Sequence, residues 1–233
     1  VGGTSFSPKL ASAIQSNESL EQLKIIFKKE HNEVWNKNWC FFDQDGTVKD
    51  STTFYYNASS SGGITKHKKP FYQNNINKGY HRIFPDISYL AGGSVYYRLP
   101  TTGADGGTSA SAPLTAALVA RINTALFHED TQNPTLSDLR KQSDHSIGFI
   151  NPLIYQAFEH NKSIFVDTVK GHNCQLIDEN TGATTCFDWS KPPHQATEGF
   201  DLATGFGEML GKPFLKYIET IALSSSSDNT ANQ

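Results

Sequence analysis

The feature that most constrains this chain is a run of small residues placed directly ahead of an apolar helix. Residues 106–113 read Gly-Gly-Thr-Ser-Ala-Ser-Ala-Pro. Behind them, apolar side chains recur every four residues from Leu114 to Leu126, which predicts an amphipathic helix over 114–127. Glycines let the backbone approach another molecule closely, and Ser109 falls where the N–H groups of a helix N-terminus point. We therefore expect a turn that presents Ser109.

A serine in this position can act as a nucleophile. Its hydroxyl can attack a carbonyl carbon, while backbone donors of Gly107 and Thr108 and the helix dipole favour the negative charge that develops. Pro113 is expected in the first helical turn, where no N–H partner is needed. The simpler alternative is an ordinary capping loop. The length of the small-residue string and the Ala-rich helix behind it favour the catalytic interpretation.

The remaining pattern predicts a mixed α/β chain. Strands are expected at 1–6 and, broken by Gly92-Gly93, over 83–99. Helices are expected over 10–30, capped by Ser19 or Asn17, and at two further places towards the C-terminus, over 150–158 and 213–223.

Charge and composition exclude several classes of function. The net charge is −3 and aromatic residues make up 12% of the chain, so disorder through self-repulsion is excluded. Lysine and arginine form no dominant cluster, so we expect no nucleic-acid partner. No apolar run approaches the roughly 20 residues that span a bilayer, so we expect no membrane partner. The histidines lack zinc-ligand spacing.

The three cysteines and three glycosylation sequons favour a secretory route. Cys174 and Cys186 flank a polar stretch whose length suits a short disulfide loop, which leaves Cys40 as a buried thiol or as a link to another segment. Asn-x-Ser sequons occur at Asn17, Asn57 and Asn161.

Several motifs, taken in order, resemble the sedolisin family of serine-carboxyl peptidases. The run ending in Ser109 is similar to the family's nucleophile signature. Six further segments match family motifs, namely Val-Gly-Gly-Thr at 1–4, Ser-Gly-Gly-Ile at 61–64, Pro-Phe-Tyr-Gln at 70–73, Pro-Asp-Ile-Ser at 85–88, Asn-Pro-Leu-Ile-Tyr at 151–155, and Gly-Phe-Asp-Leu-Ala-Thr-Gly-Phe-Gly at 199–207. The match covers most of residues 55–220.

The resemblance implies a subtilisin-like α/β fold with a parallel sheet flanked by helices. Residues 1–223 would form the C-terminal portion of one catalytic domain, with 6–53 as an insertion and 224–233 as a flexible tail. We expect such a portion alone to expose the broken edge of a parallel sheet. An upstream chain of the same precursor would complete it.

The implied activity is acid-acting hydrolysis of peptide bonds in peptide or protein substrates, in a lysosomal, vacuolar or extracellular setting. Sedolisins pair their serine with a Glu and an Asp four residues apart and with an oxyanion-hole Asp. No Glu in this chain is followed by Asp four residues later. The resemblance therefore places these acids on the upstream partner, whether a separate processed chain or another part of one polypeptide. A catalytically inactive binding module is the alternative, since Gly106 stands where the family usually has Ser. The resemblance leaves endopeptidase and tripeptidyl-peptidase specificity open.

The family also implies a calcium site near the C-terminus. Asp167 and Asp201 match the two family aspartates, and carbonyls near Thr168, Thr197 and Gly199 would complete the oxygen shell. The alternative is that both aspartates only cap turns.

Residues 41–50 provide a competing motif. Phe-Phe-Asp-Gln-Asp-Gly-Thr resembles the first motif of haloacid-dehalogenase phosphatases, with Asp43 as nucleophile and Asp45 as acid/base. That fold also needs a downstream acidic pair, and the chain contains no Gly-Asp or Asp-Asp pair. A hairpin with a turn at Asp45-Gly46 is the favoured interpretation.

Overall fold

The chain folds into short strands and α-helices, the two longest of which have 20 residues each. The computed structural model describes residues 1–29, 32–36, 58–93, 95, 97–100, 103–127, 146–173 and 194–230. The strands are β1 (Gly2–Ser5), β2 (Glu33–Val34), β3 (Gly63–Lys68), β4 (His81–Phe84), β5 (Ser88–Leu90), β6 (Tyr97–Leu99), β7 (Gly103–Asp105), β8 (Phe165–Val166) and β9 (Glu208–Met209). The α-helices are α1 (Pro8–Gln15), α2 (Leu20–Lys29), α3 (Thr108–Phe127), α4 (Asn151–His160) and α5 (Gly211–Thr230). Two 3₁₀ turns cover Phe71–Gln73 and Lys162–Ile164.

A three-stranded sheet in the order β2-β1-β5 lies at the centre. β1 runs parallel to β5, with Gly2 opposite Ser88 and Thr4 opposite Leu90, and antiparallel to β2. The pairs β3-β4, β6-β7 and β8-β9 are antiparallel. A parallel pair followed by a long helix confirms the α/β class, although the sheet is mixed rather than purely parallel.

Other residues of the chain cover part of the edge of β1. The Gly3 N–H donates to Ser60 Oγ at 3.0 Å, and the Gly3 carbonyl accepts from the Trp35 N–H at 3.0 Å. Residues 32–36 and 58–60 therefore cover the side of β1 that faces away from β5. Part of the segment assigned to an insertion is thus built into the sheet.

Helices α3, α4 and α5 pack with β5 and β9 around one apolar core. Leu126, Phe206, Met209 and Phe214 are almost completely buried there. By length and composition, α3 is also the one helix of the described residues that could cross a membrane, with a mean hydropathy of 1.2. This corrects the expectation that no such run exists. It packs on β1, β5 and α5, and 22% of it is buried among the described residues.

Two predicted helix boundaries are wrong. The helix expected over 10–30 is two helices, because Asn17 adopts a left-handed φ of 54° between α1 and α2. Asparagine tolerates that conformation better than most residues. The predicted Ser19 cap is confirmed, since the Gln22 N–H donates to Ser19 Oγ at 3.3 Å. The helix expected over 213–223 spans Gly211–Thr230, with no Gly or Pro after Pro213 to interrupt it.

Candidate active site

The turn before α3 is held by backbone and by one carboxylate. The Gly106 N–H donates to Asp105 Oδ1 at 2.7 Å, and the Gly107 N–H donates to the Ala91 carbonyl at the end of β5. Gly107 has φ +120°, a conformation that side-chain-bearing residues rarely adopt. The chain therefore turns sharply from β7 into the helix at this glycine.

Ser109 is the second residue of α3 and is solvent-exposed. Gly107, Thr108 and Ser109 lie together at the helix N-terminus, as the sequence predicts, and the Ala110 N–H closes the first turn on the Gly107 carbonyl at 2.8 Å. No side chain of the described residues hydrogen-bonds the Ser109 hydroxyl. The arrangement offers an accessible nucleophile at the positive end of a helix dipole.

Ser111 fixes this helix end to the sheet. It is fully buried, and its Oγ donates towards the carbonyls of Tyr89 at 2.8 Å and Leu90 at 3.2 Å. Of the two serines in the small-residue string, one therefore serves as an anchor and the other faces solvent. The sequence alone did not separate these roles.

Pro113 does not lie in the first helical turn, which corrects the sequence expectation. Since α3 begins at Thr108, Pro113 is the sixth helical residue. Its ring nitrogen cannot donate to the carbonyl four residues earlier, which belongs to Ser109. The helix therefore lacks one backbone hydrogen bond directly at the candidate nucleophile.

Trp35 links β1 to the turn at Gly106 and Gly107, which precedes the candidate nucleophile Ser109 and is called the nucleophile turn below. Its side chain is 5% exposed. A Cβ placed on Gly3 would lie 3.2 Å from Trp35 Cβ and Cε3, and one on Gly107 would lie 3.8 Å from Trp35 Cη2. The indole thus extends from β1 at Gly3, which has no side chain, to Gly107. Sequence reasoning missed Trp35, although Gly2-Gly3 in a buried strand indicates that something packs closely against it.

A cluster of polar side chains joins three of the sequence motifs, those at 70–73, 85–88 and 151–155. Arg82 makes a two-pronged ion pair with Asp86, at 3.0 and 2.6 Å. The Tyr155 hydroxyl donates to Asp86 Oδ1 at 2.8 Å and accepts from Gln73 Nε2 at 2.7 Å. Gln73 also bridges to both backbone groups of Ile83. Motifs far apart in sequence are thus parts of one structural network.

The two aspartates expected to bind calcium meet at one loop. Asp167 Oδ2 accepts from the Gly199 N–H at 2.7 Å, and Asp201 Oδ2 accepts from the Thr197 N–H at 3.2 Å. Asp201 Oδ1 also caps the following turn through the N–H groups of Ala203 and Thr204, both at 2.8 Å. Burial nevertheless raises the pKa of Asp201, with these hydrogen bonds opposing the shift.

Polar oxygens suited to a hard cation lie beside these carboxylates. The Thr168 hydroxyl is completely buried and has no hydrogen-bond partner in the described part of the chain. Within that part, no group of three Asp, Glu, His or Cys side chains gathers at any point. A cation at this loop would therefore depend on two carboxylates together with neutral oxygens, a donor set that calcium accepts.

Glu208 is a partly buried acid that sequence reasoning did not find. Its Oε1 accepts from Thr4 Oγ1 and from Asn32 Nδ2, both at 2.6 Å. Burial raises its pKa, while these two donors act in the opposite direction. It couples β9 to the end of β1.

The other predicted modification sites divide between described and undescribed residues. Asn17 and Asn161 are exposed, and Asn161 Oδ1 accepts from the Ser163 hydroxyl of its own sequon at 2.8 Å. The remaining sites lie outside the described residues, namely Asn57, the cysteines Cys40, Cys174 and Cys186, and the phosphatase-like Asp43 and Asp45.

Comparison with known proteins gives one consistent result. No protein-family model matches the chain. Physarolisin of Physarum polycephalum is 31% identical over 141 residues, 60% of this chain and 21% of that protein. Tripeptidyl-peptidase SED2 of Arthroderma otae is 34% identical over 183 residues, 70% of this chain and 27% of that protein.

The fold is similar to the solved structure of Pseudomonas sedolisin, a serine-carboxyl proteinase complexed with pseudo-iodotyrostatin. The match covers 94% of this chain and 45% of the sedolisin chain. Its TM-score is 0.60 at 21% identity. The chain is a relative of the sedolisins. Its α/β fold is the sedolisin fold. The chain spans about a quarter of the length of the curated sedolisin relatives that it matches.

Proposed function

We propose that this chain is the nucleophile-bearing part of an acid-acting serine-carboxyl peptidase. The observation that carries the proposal is the exposed Ser109 at the N-terminus of α3, behind Gly107 with φ +120°. Ser109 attacks the peptide carbonyl, and backbone N–H groups of the turn stabilise the oxygen that becomes negative.

The missing chemical partner is a base. A serine hydroxyl is a weak nucleophile until a neighbouring group accepts its proton, and no described side chain contacts Ser109 Oγ. We assign the Glu, the Asp and the oxyanion-hole Asp to an upstream segment of the same precursor. A neutral oxyanion-hole carboxyl can donate a hydrogen bond, whereas an ionised one cannot, so the site would work at low pH.

The 167–201 loop is proposed as a calcium site. Asp167 and Asp201 would supply carboxylates, and carbonyls near Thr168, Thr197 and Gly199 the remaining oxygens. The raised pKa of Asp201 supports this, because a buried carboxylate gains most from a nearby cation. When bound, calcium would neutralise these charges and fix the loop, with no part in the reaction at Ser109.

Passage through the secretory route is part of the proposal. The exposed Asn17 and Asn161 are accessible to glycosylation, and a Cys174–Cys186 disulfide would form in an oxidising compartment. The protein would act in a lysosome, a vacuole or the extracellular space.

Peptide hydrolysis by the purified native protein tests the proposed function. We expect cleavage of unstructured peptides at acid pH and loss of cleavage in Ser109→Ala. Intact mass before and after reduction would show whether an upstream chain copurifies and whether a disulfide retains it. A folded wild-type protein with its upstream segment present but without hydrolysis would instead indicate a binding module.

A further inference from the structure

One segment of this acidic chain carries a net positive charge. Residues 51–85 contain no Asp or Glu, while they hold four lysines and Arg82. The net charge of the chain is −3, so this segment carries +5 and the remainder −8. Arg82 is bound by Asp86, which leaves the lysines of the β3-β4 hairpin as the free cations of the described part of this segment.

These lysines border a concave pocket with aromatic walls. The cavity measures about 630 Å³ and is lined by Lys66, Lys68, Lys69, Phe71, Asn74, Tyr80 and His81. Phe71 is 70% exposed and Tyr80 is 89% exposed. Lys69 Nζ is held by the Asn77 carbonyl at 2.8 Å, whereas Lys66 and Lys68 pair with no acid among the described residues.

The hairpin also offers a strand edge. β3 pairs with β4 on one side, and no other described strand pairs with it. The register of β3 against β4 shifts between Ile64 and Lys68, so β3 is irregular there, and Lys66 and Lys68 both line the pocket.

We propose that this pocket binds an extended acidic peptide segment. The peptide would lie along the side of β3 that no described strand pairs with. Its carboxylates would face Lys66 and Lys68, and apolar groups would contact Phe71 and Tyr80. None of these residues belongs to the Ser109 turn, so the site is additional to the proposed catalytic one.

Edge lysines also protect strands from aggregation, which is the competing explanation. Protection of an edge strand from aggregation requires only charged side chains, and exposed aromatic rings beside those charges weaken it. Phe71 and Tyr80, both among the most exposed large apolar side chains described, therefore favour recognition.

Fluorescence anisotropy with a labelled octapeptide of alternating Glu and Thr tests the proposal. The native protein carrying Ser109→Ala would be used, so that the outcome does not depend on peptide cleavage. We expect salt-sensitive binding, weakened about fivefold in a Lys66→Ala/Lys68→Ala variant because each exposed ion pair contributes modestly. Lys212→Ala/Lys216→Ala on the exposed face of α5 is the matched control and should bind like the parent.

Two further comparisons make the test decisive. An octapeptide in which Gln replaces each Glu should bind more weakly than the acidic peptide, and Tyr80→Ser should weaken binding of the acidic one. Equal binding by the Lys66→Ala/Lys68→Ala variant and the parent would overturn the proposal. So would tighter binding of a heparin oligosaccharide or single-stranded DNA, or equal binding of the Gln peptide.

Discussion

The Tyr155 hydroxyl donates a hydrogen bond to Asp86 Oδ1 over 2.8 Å, although the two residues are 69 positions apart. Asp86 lies in the short connection between β4 and β5, and Tyr155 lies on α4. This bond therefore ties the helix to the start of the strand that ends beside the nucleophile turn. Arg82 and Gln73 complete the network around it.

Tyr155→Phe should destabilise the protein by about 2 kcal/mol, because it removes a donor to a carboxylate and leaves Gln73 without one acceptor. Urea unfolding followed by fluorescence measures the change. Tyr80→Phe, at an 89% exposed position, should change stability by less than about 0.5 kcal/mol. Equal effects of the two variants would contradict the structural role of the network.

Gly3→Ala should destabilise the sheet by about 1–3 kcal/mol, because the added Cβ would lie 2.7 Å from Ala91 Cβ and 3.2 Å from Trp35. Since Trp35 supports Gly107, the reactivity of Ser109 towards an active-site reagent should fall as well. Gly79→Ala, where the new Cβ meets only the end of the Asn77 side chain, is the control. A Gly3→Ala protein of unchanged stability and reactivity would show that Trp35 does not couple the two sites.

Glu208 should make the protein more stable in acid than at neutral pH. Burial raises the pKa of Glu208 in the folded state above its value in the unfolded state. At a pH between these two pKa values, the folded protein therefore binds more protons than the unfolded protein does. Its stabilising effect is complete below the unfolded value of about 4.5 and is lost as the pH rises through the folded one.

Glu208→Gln should consequently raise the melting temperature at pH 7 and have little effect at pH 4. Gln keeps an acceptor for Thr4 and Asn32, so packing is preserved. Glu18→Gln, on an exposed turn, should shift neither. A loss of stability at pH 7 that becomes smaller at pH 4 would mean that the carboxylate, rather than the neutral acid, is the form that the fold prefers.

Calcium should raise the melting temperature of the native protein, and a chelator should reverse the increase. Asp167→Asn should remove most of this response, because it takes away one of two carboxylates at the loop. Glu198→Gln, an exposed acid on the same loop, should retain it. An unchanged calcium response in Asp167→Asn would place the ion elsewhere.

The sequence predicted the local features of the site more reliably than the long-range contacts. The nucleophile turn, its helix and the Ser19 cap follow from residues close together in the chain. Trp35 could not be assigned, because its contacts with Gly3 and Gly107 connect three distant segments. For the same reason, the Arg82, Asp86 and Tyr155 network was visible only as separate motifs.

Boundaries failed where one residue changed the backbone. Asn17 divides a continuous apolar pattern into two helices by adopting a left-handed conformation, and periodicity carries no information about that. Pro113 fell one turn deeper than expected because α3 begins at Thr108 rather than at Leu114. In both cases the apolar periodicity fixed the helix but left its limits open.

The central claim is that Ser109 is the nucleophile of the assembled protein. Its most direct test is incubation of the native protein with a fluorophosphonate at acid pH, followed by peptide mass mapping of the adduct. We predict one adduct on Ser109, absent in Ser109→Ala and retained in Ser12→Ala, an exposed helical serine. An adduct on another residue, or none in a preparation that hydrolyses peptides, would contradict the account.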